Sequence, residues 1–170
     1  LTRNNVNVVL AGERATCNLN GFYAVSSSSH VDNNISIDHA RPNTKSRETY
    51  KGVLSGDSRA VFQGNILVRK GANKSDARQD DKNLLLSDQA EVNTSPSLQI
   101  YADDVKCGHG ATSGTVDERM LFYMQSRGLS LDMARQLVVM GFSADVINSM
   151  TQQAVRTYLD DSVLATLEEF

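Results

Sequence analysis

Along the first hundred residues, apolar positions recur in short bursts of period two. Val6, Val8 and Leu10 alternate with the asparagines 5 and 7, and Gly12 ends the run. That is the spacing of a strand with one face turned inward. Further strand-like runs follow at Phe22–Val25, Ile35–Ile37, Val53–Leu54, Val61–Phe62, Ile66–Val68, Leu84–Leu86, Leu98–Tyr101 and Val105–Cys107. Turn-forming residues stand between them: Asn20-Gly21, Asn33-Asn34, Gly56-Asp57 and Gly71-Ala72-Asn73. No helical stripe of useful length precedes residue 115. Many short strands at close, irregular spacing fit a sandwich, a barrel or a β-helix. Runs of two to four residues with Asn and Gly at their ends favour β-helix rungs, where each strand turns a corner and pairs with the rung above.

From residue 115 the period changes to that of a helix. Thr115 and Glu118 have capping-box spacing, and Gly128 stands where a helix C′ glycine would. Between them Val116, Met120, Tyr123 and Met124 form an i, i+4, i+7, i+8 stripe. Ser130 is placed to cap a second helix carrying Leu131, Ala134, Leu137 and Val138, closed by Gly141. A third helix is expected from Ser143, with Val146, Ile147 and Met150 facing the core, and a fourth over 154–167. The expected architecture is mainly β: a right-handed parallel β-helix over residues 1–114, followed by a small C-terminal α-helical domain over 115–170.

Composition sharpens this division. All five Met lie after residue 119, while twelve of the thirteen Asn and both Pro lie before residue 101. Formal charge is +2 over residues 1–100 and −5 over 101–170. The net charge of −3 argues against a nucleic-acid arm or a basic membrane-binding face. No apolar run approaches the roughly 18 residues of a membrane span. Two cysteines outside any CxxC pair make no disulfide framework and suit a reducing compartment. A start at Leu1, without Met, reads as a piece of a longer protein.

The ligand-rich stretch is the junction, from Ile100 to Thr112. If it is extended, Cys107 and His109 point to one face. Thiolate and imidazole suit zinc, iron or an iron–sulfur cluster, but two ligands do not complete a tetrahedral site. The competing reading is a small buried Cys and a hydrogen-bonded His at a strand end. Gly108, Gly110 and Gly114 lack the Lys of a P-loop and read as a flexible exit from the last strand. Neighbours Asp103 and Asp104 would face opposite sides of a strand, which disfavours a shared-proton pair. Cys17 has no nearby ligand partner and reads as structural.

The same stretch closely resembles the SufB/SufD family of iron–sulfur cluster assembly proteins, its SufD branch above all. The resemblance is carried by the run 82–87 (Lys-Asn-Leu-Leu-Leu-Ser), the run 100–107 ending at Cys107, His109-Gly110-Ala111-Thr112, Phe122-Tyr123 and Ser126-Arg127-Gly128. Upstream, His39, Pro42, Ser46, Tyr50-Lys51-Gly52-Val53 and Val61-Phe62-Gln63-Gly64 also fit. Gly108 departs from the Ser common in the family.

The resemblance implies a non-catalytic scaffold subunit of the SUF system, truncated at its N-terminus. It pairs through the β-helix with a SufB-like subunit, binds a SufC-type ATPase through the helical domain, and forms a homodimer when alone. It implies no cofactor held by this chain alone, but a transient iron–sulfur cluster or iron at the partner interface, with Cys107 and His109 as candidate ligands. Two same-face ligands without a local third are what a half-site shared between subunits requires. Nucleic acid and membrane are not expected as partners. The expected compartment is the bacterial cytoplasm, with the plastid as the alternative. The other function class to be weighed is a carbohydrate-active β-helix lyase or hydrolase, which needs carboxylates or basic groups clustered on one rung face. A plain interaction module using the acidic tail is a third.

Overall fold

The computed structural model describes residues 1–167. Eight strands come first: β1 (Thr2–Leu10), β2 (Thr16–Val25), β3 (His30–His39), β4 (Lys45–Leu54), β5 (Arg59–Val68), β6 (Asp76–Leu85), β7 (Glu91–Ile100) and β8 (Lys106–Thr115). Three helices follow: α1 (Glu118–Ser126), α2 (Leu131–Asn148) and α3 (Gln153–Leu167). Odd strands form one parallel sheet in the order β1-β3-β5-β7, and even strands another in the order β2-β4-β6-β8. Thr2 pairs with Val31 and Arg59 with Glu91, steps of 29 and 32 residues along the chain. Each turn of this β-solenoid therefore spends about thirty residues on one strand of each sheet, and about four turns are stacked.

The strands are nine or ten residues long, not the two to four that the apolar runs suggest. Those runs mark only the apolar part of each inward face. In β5 burial alternates along the whole strand, and the runs 61–62 and 66–68 belong to that one element. Asn33 and Asn34 lie inside β3 instead of at a turn. Asn33 is buried, and its side-chain oxygen accepts from Asn4 Nδ2 at 2.9 Å on the rung before. Asn20-Gly21 likewise lies inside β2. There the Tyr50 ring of β4 occupies the space a Cβ on Gly21 would fill. The real corners use Arg14, Asn43, Lys74 and Asp104, all with positive φ between 52° and 63°. Stacking holds them in place: Asn43 N–H donates to the Asn73 carbonyl and Lys74 N–H to that of Asp104.

The solenoid core packs Leu10, Ile35, Ile37, Phe62, Ile66 and Val68 from the odd sheet against Tyr50 and Ala77 from the even one. Burying each such aliphatic or aromatic side chain is worth about 1.5–3 kcal/mol. One corner is polar and equally sealed. His39 is fully buried, with Nδ1 2.8 Å from Thr44 Oγ1 and Nε2 2.8 Å from Ser46 Oγ. Because the Thr44 hydroxyl donates to the Arg41 carbonyl, His39 Nδ1–H donates to Thr44 and Nε2 accepts from Ser46.

The helices depart from expectation in three places. Thr115 is the last residue of β8, so α1 is capped instead by Asp117, whose carboxylate accepts the Arg119 N–H at 2.9 Å. The expected second and third helices are one: α2 runs through Gly141. Val139, Ser143, Val146 and Ile147 are buried on one of its faces, and Val139 and Ile147 share a cluster with Val53 of β4 and Val163 of α3. Burying that face outweighs the roughly 1 kcal/mol that a helical Gly costs. Finally, α1 buries none of its residues, and Met120, Phe122 and Tyr123 are exposed, as are Leu131 and Leu137 of α2. Ser130 caps α2 as expected, accepting the Met133 N–H. Gly128, at φ 92°, ends α1 in a Schellman turn, with Leu129 N–H donating to the Met124 carbonyl. No described helix is long and apolar enough to cross a membrane.

Candidate functional site

The four even strands stack their inward positions in register. One column runs Cys17, Ser46, Ala77, Cys107, and the next runs Leu19, Glu48, Gln79, His109. Cys107 and His109 thus point inward on the last strand of the even sheet. Among the described residues, β8 pairs only with β6, and no further rung covers it. Cys107 is consequently half-buried against the solenoid core, and His109 is exposed. Both line one surface cleft of about 420 Å³, together with Arg47, Asp76, Arg78 and Lys106. Gly108, Gly110 and Gly114, expected in a loose exit from the last strand, lie within β8 itself. A side chain at Gly108 or Gly114 would meet nothing within 4 Å.

Electrostatics at this cleft is mixed. Arg47 binds Asp76 at 2.7 Å and also donates to the backbone carbonyls of Ser46 and Asp76. The hydrogen bond from Arg47 holds the Asp76 carboxyl below the usual carboxylate range. Burial pushes the Cys107 thiol up, so at neutral pH it is a thiol, and a bound metal must displace its proton. Cys17 also has a thiol raised by burial and sits three rungs below Cys107 in the same column. Asp103 and Asp104 occupy the corner before β8, not a strand, and the Asp104 backbone carbonyl serves the Lys74 N–H.

As ligands, a thiol and an imidazole fit a borderline-to-soft metal such as iron or zinc. Among the described residues, no group of three or more His, Cys, Asp or Glu is placed to hold a metal ion. Among the described residues, two candidate donors meet at one edge without a third.

The sequence reading passed over the polar interior beneath them. Glu48, Gln79 and Asp81 are essentially inaccessible, and Gln79 Nε2 donates to Glu48 Oε2 at 3.2 Å. Burial drives the Glu48 carboxyl up to about 7, with the nearby Asp81 adding to the rise. Asp81 is itself raised by burial and accepts from Asn83 at 2.8 Å. The thirty-residue repeat was the signal that could have found these residues, since it aligns Glu48, Gln79 and His109. Sealed inside, these carboxylates present no rung face to a polysaccharide, so they do not supply the cluster that a carbohydrate-active enzyme needs.

Relatives agree with this architecture. Residues 1–142 match the family described as SUF system FeS cluster assembly, SufBD core domain. The chain is 36% identical over 154 residues to the iron–sulfur cluster assembly protein SufD of Escherichia coli, covering 91% of this chain and 36% of that protein. It is 37% identical over 159 residues to the chloroplastic protein ABCI7 of Arabidopsis thaliana, covering 92% and 33%. A SufBD family protein of Mycobacterium leprae is 32% identical over 167 residues, covering 94% and 43%. The chain thus spans about a third to two fifths of the length of these curated relatives. A match over most of its length, on a β-solenoid followed by helices, places this chain in the SufB/SufD family of the SUF iron–sulfur cluster assembly system.

Proposed function

We propose that this chain is a non-catalytic scaffold subunit that supplies half of a cluster-assembly site to a SufB-like partner. The observation that carries this reading is the pairing of Cys107 and His109 on a terminal strand of the even sheet, with no third ligand grouped with them among the described residues. A strand left unpaired on one edge offers backbone donors and acceptors to another chain, and the partner then completes the ligand set. Iron and sulfide are cargo in this scheme. Cys107 loses its proton as metal binds, and the imidazole of His109 offers one ring nitrogen. The division into a solenoid over 1–114 and a helical domain over 115–170 belongs to the same proposal. The exposed apolar side chains of α1 to α3 then form the docking face for a SufC-type ATPase. The compartment is the bacterial cytoplasm or the plastid, in keeping with one relative from a bacterium and another that is chloroplastic.

Anaerobic reconstitution with the SufB-type and SufC-type partners tests the proposal. His109→Ala is expected to lower cluster yield at least tenfold while the complex still assembles. An unchanged yield would remove His109 from the site.

A further inference from the structure

Among the described residues, three buried oxygens beneath the candidate site have no partner, Glu48 Oε1, Gln79 Oε1 and Asp81 Oδ1, and of these Gln79 Oε1 belongs to the strand beside His109 and to its register position. Gln79 Oε1 is inaccessible and accepts no hydrogen bond, although the Gln79 side chain is held in place from two directions. Its Nε2 is bound to Glu48 Oε2, and it crosses the interior where Gly64 of β5 has no side chain: a Cβ there would collide with the Gln79 amide. Because Glu48 takes the NH₂ group, the amide is oriented and its carbonyl oxygen is the group left over. A buried acceptor without a donor costs about 1–3 kcal/mol, so one is rarely kept without a use. On the next strand, in register with Gln79 and pointing to the same side, stands His109. Neighbouring strands lie about 4.8 Å apart, within reach of an imidazole turned about its side-chain torsions. In the described structure His109 is exposed and open to such a turn.

We propose that Gln79 is the positioning residue for His109: the imidazole turns inward and donates one ring N–H to Gln79 Oε1, leaving the other nitrogen free to bind metal. The inference rests on the reading of His109 as a ligand. Metal-bound histidines commonly donate their second N–H to a carbonyl or carboxylate, which fixes the tautomer and the ring plane. Here the relay runs from Glu48 to Gln79 to His109, along one column of the solenoid. No redox change is involved, and no proton leaves the imidazole, since the neutral ring already carries one N–H and one lone pair. Asp81 lies diagonally across from Glu48; its Oδ2 accepts from Asn83, and its Oδ1 makes no bond to the Gln79 amide.

The test uses the full chain bound to its SufB-type partner, which completes the ligand set, with zinc ion as a diamagnetic probe. Affinity is read by titration, and the His109 tautomer by nitrogen-15 imidazole shifts. Gln79→Met keeps the volume and removes the acceptor. It is expected to weaken zinc binding about 10- to 100-fold, the usual effect of losing such a partner, and to change the single tautomer of the zinc-bound ring into a mixture. Unchanged affinity and an unchanged tautomer in Gln79→Met would overturn the role of Gln79. Should that variant fail to fold, the native chain still decides: a zinc-bound ring without one slowly exchanging, hydrogen-bonded N–H overturns the proposal. If His109→Ala binds zinc as the native chain does, the ligand reading itself fails, and the proposal falls with it.

Discussion

The buried carboxyl of Glu48 makes the stability of this fold depend on pH. Glu48 has its pKa raised by burial to about 7, against an ordinary value of 4.5. Between these two values the folded state binds more protons than the unfolded one, so stability falls as pH rises from about 4.5 through about 7. The full difference corresponds to about 3 kcal/mol lost above neutrality. Glu48→Gln removes that titration while still accepting the Gln79 amide. Urea midpoints at pH 5 and pH 8 are expected to differ much less in the variant than in the native chain, and the variant is expected to be the more stable at pH 8. An equal pH slope in both would show that Glu48 does not titrate with folding. His39 acts in the opposite direction. Burial lowers its pKa, so the unfolded chain takes up the proton first and stability falls as pH drops below about 6.5. None of this was legible residue by residue, because an isolated Glu or His in a polar run has the same local signature whether it faces water or the solenoid interior.

At the scale of elements, the sequence announced apolar cores of strands better than their ends. The run Ile35–Ile37 is the middle of β3, but the asparagines before it pair in the ladder and the strand begins five residues further back, at His30. Corners at Arg14 and Lys74 carry no turn chemistry of their own, since stacking against the neighbouring rung enforces the left-handed backbone there. Gly141 misled in the reverse sense. Its helix-ending signal is overruled by the buried face of α2 and by a clamp from β4. Lys51, nearly inaccessible, donates from Nζ to the Phe142 carbonyl at 2.8 Å and to Asp145 at 2.5 Å, with the Phe142 ring 4.9 Å away. Held on both sides, Gly141 gains nothing from its flexibility, and a Cβ there meets no atom within 4 Å. Gly141→Ala is therefore expected to stabilise the chain by about 1 kcal/mol, raising the thermal midpoint by about 2–4 °C. A lower midpoint by calorimetry would mean that α2 needs a break at this position.

Across the whole molecule, the helices divide into a bound side and an open side. Val139, Ile147 and Val163 close over Val53 of the solenoid, and Asn20 of β2 reaches Ser149 at 3.0 Å. Facing away, Phe122 is 73% exposed on α1 and Tyr158 is 71% exposed on α3. The amphipathic stripe through Met120 and Tyr123 was visible in the sequence, but periodicity reveals a face and not what covers it. Large aromatic side chains left in water contribute little to the fold of the free chain, and they are the residue types that dominate binding once a partner excludes water from them. The double variant Phe122→Ser, Tyr158→Ser is accordingly expected to keep its unfolding free energy within about 0.5 kcal/mol per site. Its affinity for the SufC-type ATPase is expected to fall at least tenfold, or about 1.4 kcal/mol. Calorimetric titration of both chains with the purified ATPase checks this. A stable variant that binds as tightly as the native chain would move the docking face off these helices, and a variant that unfolds would show that the two rings belong to the fold and not to the partner.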